Sequence, residues 1–118
     1  MAKSVNPGEL RTLVRFFSVT RTADAEGVPA EAEVNVFGEG AAVRCQWVNA
    51  HGSEVFAAQQ LQLREPATLT LRYSPLIRPD LIVYRNGDDR PYEIVSVDNV
   101  EQRGRWLELK VQRREAAR

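Results

Sequence analysis

Strict period-two alternation recurs along this chain, and it restricts the fold more than any other feature. In ATLTLRY, residues 67–73, Leu69, Leu71 and Tyr73 fall on one side and Thr68, Thr70 and Arg72 on the other. In RWLELKV, residues 105–111, Leu107, Leu109 and Val111 oppose Trp106, Glu108 and Lys110. Successive side chains of an extended strand point to opposite faces, so this pattern is that of strands with one face on a core. LRTLVRFFSVT, residues 10–20, is equally rich in strand formers. One parity carries Leu10, Val14 and Phe16, the other Leu13, Phe17 and Val19, so neither face is cleanly polar.

Punctuation between these runs predicts short antiparallel strands. ADAEGVPAEAE, residues 23–33, reads as a turn region closing a long hairpin. The next strand is expected over 34–49, with Gly38 and Gly40 inside it marking a bulge or sharp bend. LIVY at 81–84 and YEIVSV at 92–97 flank Asn86-Gly87, a strong hairpin signal. About six strands at this spacing form an all-β antiparallel barrel or sandwich. The expected organisation is an N-terminal arm over 1–9, one domain over 10–112 with an insertion at 50–65, and a frayed tail over 113–118.

The insertion breaks the pattern. In HGSEVFAAQQLQ, residues 51–62, β-branched residues nearly vanish and Ala, Gln, Glu and Leu replace them. Ser53 can cap a helix, with Glu54 in its first turn where the dipole favours an anion. Two or three turns of helix are marginal in water, so this segment needs something to lie against. Its residues Ser53, Glu54, Phe56, Gln59, Gln60 and Gln62 are candidates for contacts between subunits.

Composition narrows the function. The hydrophobic fraction is 43% and the charged fraction 27%, ordinary values for a globular chain. A compact chain of this length has a radius of gyration of about 13 Å. Lys plus Arg equals Asp plus Glu at 16 each, without the basic excess usual for phosphate-gripping proteins. A local basic patch remains at the end, where Lys110, Arg113, Arg114 and Arg118 face Glu115. Cys45 is the one cysteine, so no intramolecular disulfide forms and a reducing compartment is the natural setting. No apolar run approaches the roughly 20 residues of a membrane span, and a protein folded in a cytoplasm is expected.

Catalytic and metal-binding patterns do not emerge. His51 is the one histidine, and a zinc site needs more ligands than it and Cys45 supply. A Cys45–His51 nucleophile pair would make a small enzyme, but Cys45 sits mid-strand and reads as a core residue. Asp80, Asp88, Asp89 and Glu93 cluster around one hairpin without calcium-loop spacing, and read as solvated turn residues. No cofactor motif is present. The strand aromatics Phe16, Phe17, Trp47, Tyr73, Tyr84, Tyr92 and Trp106 permit an alternative, an OB-like barrel that stacks single-stranded nucleic acid. Phe17 and Trp106 lie opposite their strands' better apolar stripe, which fits either exposed aromatics of a protein–protein surface or strands buried on both faces in a sandwich.

The order of features resembles one family. Pro7-Gly8-Glu9-Leu10-Arg11 leads into a strand, and a turn with Asp24, Gly27 and Pro29 follows. A strand ending near Trp47 precedes Gly52-Ser53-Glu54, which opens Phe56-Ala57-Ala58-Gln59. Then come Thr70-Leu71-Arg72-Tyr73, Tyr84 before the Asn-Gly turn, Tyr92-Glu93-Ile94, and Trp106-Leu107-Glu108-Leu109. Over about residues 7–112 this is similar to the head–tail joining proteins of tailed phages, also called head closure or stopper proteins. The resemblance implies a small β-barrel with a short helix or long loop inserted between strands, and no catalysis, cofactor or metal. It implies a homo-oligomeric ring below the portal and its adaptor ring, assembled in the host cytoplasm from subunits that can be monomers in isolation. Such a ring closes the DNA-filled head and docks the tail, and DNA passes through without specific binding. Prophages and gene-transfer particles use the same fold. The segment at 51–65 is then expected to gate the channel or meet a neighbouring subunit or ring.

Overall fold

A computed structural model describes residues 7–23, 25–50 and 64–114. Seven strands follow one another: β1 (Thr12–Ala23), β2 (Pro29–Asn35), β3 (Val43–Asn49), β4 (Ala67–Arg72), β5 (Ile82–Arg85), β6 (Tyr92–Asn99) and β7 (Trp106–Arg113). Pro7–Glu9 and Val100–Gln102 form single 3-10 turns. Neighbouring strands run antiparallel in the order β1-β3-β4-β7-β6-β5, and β5 pairs back onto β1. The fold is a closed six-stranded barrel with β2 as an extra strand, which decides between barrel and sandwich. The expected helix at 51–62 lies outside the described residues.

Alternation sorts the side chains as the sequence pattern requires. Val14, Phe16, Cys45, Leu69, Leu71, Val83, Leu107, Leu109 and Val111 point inward and are almost fully buried. β6 alone would break parity, since Tyr92, Ile94 and Val97 all pack against this core. A β-bulge resolves it. Ile94 pairs with Val111 and Ser96 with Lys110, so Val95 is the extra residue and points out, 46% exposed. The connection from β4 to β5 passes over two intervening strands, and Ile77 and Leu81 from it are buried in the core. Tyr73, expected inward with Leu71, lies past the end of β4 and is 43% exposed.

Two boundaries differ from the sequence reading. The expected turn at 23–33 is largely strand, because β1 continues to Ala23 and β2 begins at Pro29. Proline lacks an N–H, so it suits the first residue of an edge strand. The expected strand at 34–49 is broken after Asn35. Gly38 and Gly40 take φ of 113° and 75°, a region that side chains disfavour, and the chain turns there. Asn35 clamps this turn: its Nδ2 donates to the Ala41 carbonyl at 2.8 Å, and its Oδ1 accepts from the Phe37 N–H at 3.0 Å. Phe37 is thereby placed against Phe16, ring centroids 6.0 Å apart.

β1 is longer than the barrel. Val14 pairs with both Val43 and Arg85, and Phe17 with both Asn35 and Ile82. A strand has two edges, so β3 and β2 follow each other along one edge of β1 while β5 holds the other. Beyond Phe17, β1 has only β2 beside it. The two form an arm of about 20 Å, at roughly 3.3 Å per residue. The dimensions, 56 × 34 × 27 Å with a radius of gyration of 15.5 Å, are those of an elongated molecule rather than the compact one expected.

Leu109→Ala is expected to cost about 2–5 kcal/mol, because Leu109 is fully buried and its truncation leaves a cavity. Val95→Ala, on the outward bulge, is expected within about 0.5 kcal/mol of the parent. Urea unfolding midpoints of the two variants check this.

Candidate interaction surfaces

Inside the barrel, Cys45 is fully buried, and burial pushes its thiol up to about 12. The cysteine packs as a small apolar member of the core. His51 lies outside the described residues. The acidic hairpin is tied into the barrel rather than simply solvated. Asp88 accepts from Arg113 Nη2 at 2.6 Å and from the Arg90 N–H at 2.9 Å, and these donors hold its carboxyl below the usual range. Arg113 also donates to the Arg90 carbonyl at 2.7 Å and to Glu65 at 3.2 Å, and lies over the Tyr92 ring, 4.2 Å from its centroid. Glu93 accepts from Gln112 at 2.6 Å, and Asp80 pairs with Arg78 at 3.2 Å. No group of three or more metal-ligating side chains occurs among the described residues.

The described cations of the expected basic patch are compensated, and Arg118 and Glu115 lie outside the described residues. Arg113 is held by Asp88, Arg114 approaches Glu31 at 3.4 Å, and Lys110 approaches Glu108 at 3.6 Å. Charge instead accumulates where no sequence run shows it. Arg44 on β3 and Arg72 on β4 stand one rung beyond the Cys45–Leu71 pair, on the outer face. With Arg11 they line a groove of about 330 Å³ whose other walls include Pro7, Gly8, Leu10 and Val43. Among the described residues none of the three guanidiniums pairs with a carboxylate. Like charges set side by side on neighbouring strands destabilise a sheet. Arg11 lies more than 30 residues from Arg44 in sequence, so only strand pairing brings the cluster together.

Phe17 and Trp106 sit on the outer face, and both are half-buried. Phe17 packs edge-on against Tyr84, centroids 5.3 Å apart. The Tyr84 hydroxyl donates to Glu33 at 2.9 Å; burial, then that bond and its charge, push the hydroxyl up to about 12. Trp106 lies under the Arg72 guanidinium, 5.2 Å away. The remaining strand aromatics divide similarly. Phe16 and Tyr92 are buried, and Trp47 is packed edge-on to Tyr92 with Arg85 over its ring. Tyr73 alone among these strand aromatics is exposed.

The arm is the most open element. Thr20 to Ala23 and Pro29 to Val34 are exposed throughout. One of its faces pairs Ser18, Thr20 and Thr22 with Val34, Ala32 and Ala30, all small and uncharged. The other carries Arg21, Glu31 and Glu33. At the opposite end of the barrel, the Ala50 N–H donates to the Pro66 carbonyl at 3.1 Å, directly after the Asn49–Ala67 pair. The ladder is thus closed at the base of the insertion. Ser53, Glu54, Phe56, Gln59, Gln60 and Gln62 lie outside the described residues.

The described residues thus form a filled barrel with a projecting ribbon, a buried thiol and outward charge clusters. Residues 5–114 match the sequence profile of the phage head completion proteins, and the chain belongs to that family. It has a structural role in a phage head and is a virion component. In fold it is similar to a chain in the virion of a native gene transfer agent particle, at 18% identity and TM-score 0.56, covering 90% of this chain and 98% of that one. It is also similar to the solution structure of a Shigella flexneri 2a protein, at 18% identity and TM-score 0.63, covering 96% of this chain and 100% of that one. No curated protein matches the chain. No helix among the described residues is long and apolar enough to cross a membrane.

Asp88→Asn is expected to lower stability at neutral pH by about 1 kcal/mol, the scale of a partly solvated charge-assisted hydrogen bond. The Asp88 carboxyl is lowered in the folded state, so its contribution is complete above the ordinary carboxylate range. It is lost as pH falls through the lowered folded value. Melting temperatures measured across the acid range, below the ordinary carboxylate value of about 3.9 and up to neutrality, check that parent and variant converge in acid.

Proposed function

We propose that this chain is a subunit of a homo-oligomeric ring below the portal and its adaptor ring. The ring closes the DNA-filled head and offers the tail a docking surface. The observation that supports this best is the arm. In a lone barrel it buries almost nothing and leaves the outer edge of β2 with no strand beside it among the described residues. An exposed strand edge is a template for pairing with another chain, and a lone two-stranded ribbon is marginal in water. Such an element is explained by neighbours in an assembly. The alternative, a barrel that binds single-stranded nucleic acid, needs accessible stacking faces, and the strand aromatics other than Tyr73 are buried or packed against a partner.

Residues 51–65 are the proposed contact with the channel or with adjoining subunits and rings, through Ser53, Glu54, Phe56, Gln59, Gln60 and Gln62. The closed ladder at Ala50 and Pro66 supports treating this segment as an addition to a complete barrel.

Replacing residues 51–63 by a short Asn-Gly turn is expected to leave a folded barrel with a melting temperature within a few degrees of the parent's. Heads completed with that variant are expected to lose their DNA or fail to join tails. A variant that does not fold would make the segment part of the core and end this reading of it. Light scattering of the parent mixed with the portal–adaptor complex tests the ring itself. The expected result is several copies joining per complex.

A further inference from the structure

One row of outward side chains crosses four strands and carries two arginines side by side. Leu13 on β1 pairs with Arg44 on β3, Arg72 on β4 pairs with Trp106 on β7, and the two arginines stand one rung beyond the Cys45–Leu71 pair. Arg11 joins them at the groove of about 330 Å³. Two of the three guanidiniums are held in place. Arg11 Nε donates to the Gly8 carbonyl at 3.1 Å, and the Arg72 guanidinium lies over the Trp106 ring. The carboxylates beside the row are committed elsewhere. Glu9 accepts from the Gln46 amide at 2.7 Å, and Glu108 faces Lys110 at 3.6 Å. Three cations thus converge on one groove without a carboxylate partner among the described residues. We propose that this groove takes a short acidic segment of a neighbouring protein of the particle, one carrying two or three carboxylates.

This contact needs only the chain's place in a virion and not the ring. Guanidiniums on neighbouring strands repel each other, and an occupant of matching negative charge removes that cost. Planar N–H forks held by a carbonyl and an indole ring are set for paired bonds to carboxylates. The walls also include Leu10 and Val43, which offer apolar contact to a peptide and nothing to a phosphate. Arginine beside tryptophan and aliphatic side chains is typical of protein interfaces. A nucleic-acid backbone is held along an extended basic track, whereas these cations share one small groove and the chain has no basic excess. A second copy of this chain is a poor source of the carboxylates. Glu31 is engaged by Arg21 and Arg114, Glu33 by the Tyr84 hydroxyl, and Asp88 by Arg113. Charge complementarity therefore points to a different protein.

Titration of the full chain with the peptide acetyl-Glu-Leu-Glu-Val-Glu-amide tests the groove. The indole N–H resonance of Trp106, identified by its loss in Trp106→Phe, reports occupation because its ring lies beneath Arg72. Saturable binding is expected, at least tenfold tighter than that of the same peptide with glutamine at each acidic position. It is expected to weaken at least tenfold when Arg44→Glu and Arg72→Glu are combined. Relief of the like-charge contact is expected to keep that variant's melting temperature at or above the parent's, and Arg44→Gln with Arg72→Gln repeats the test without charge reversal. In particle assembly, the charge-reversed variant is expected to join the portal–adaptor complex or tails at least tenfold less well. Equal binding of the acidic and glutamine peptides, or assembly unchanged by charge reversal, would overturn the proposal and leave the ring reading standing. The peptide titration does not depend on ring formation, so the two readings fail separately. An oligonucleotide that displaces the peptide from the parent and does not bind the charge-reversed variant would assign the groove to nucleic acid and overturn the proposal.

Discussion

The pairing of β5 onto β1, from Val14–Arg85 to Phe17–Ile82, is the constraint on which the rest of the structure depends. Without it the strands form an open sheet with two long edges and no enclosed side. With it, one parity of side chains is sealed from water on every strand, and hydrophobic burial becomes the main stabilising term. Closure also determines what is left outside. β1 is longer than its barrel neighbours require, so its second half must leave the barrel, and β2 is carried with it.

Two local devices adapt the chain to this closure. The bulge at Val95 returns Val97 to the core after Ile94 has used the opposite parity. The Asn35 clamp, with Gly38 and Gly40 at positive φ, shifts the chain from β2 to β3 along the same edge of β1. The bulge leaves one residue of β6 outside the ladder, and the clamp ends β2 at Asn35. Arg113 works from the other side of the barrel, joining β7 to the β5–β6 turn through Asp88 and Tyr92.

Closure also links fold to function. The barrel core is filled by side chains, and its one thiol is buried among them. What faces outward is a ribbon with one uncharged face and a row of arginines with apolar flanks. Both features cost stability in an isolated molecule, one through an unpaired edge and the other through like-charge proximity.

Much of this was legible in the residues. Alternation in ATLTLRY and RWLELKV identified β4, β7 and their buried faces, because a half-buried strand must alternate. Asn86-Gly87 located the β5–β6 turn, and the mid-strand position of Cys45 identified it as core. The order of short motifs pointed to the phage head–tail joining proteins. Other features depended on contacts between distant residues. Proline, glycine and alanine at 23–33 read as a turn, yet pairing to β1 makes most of that segment strand. Arg113 read as a frayed cation, since Asp88 lies 25 residues away. The barrel's closure, the arm and the Arg11–Arg44–Arg72 groove were decided by tertiary structure alone. Local sequence specifies which way a side chain points along its strand, but which strands become neighbours depends on how all of them bury one shared core.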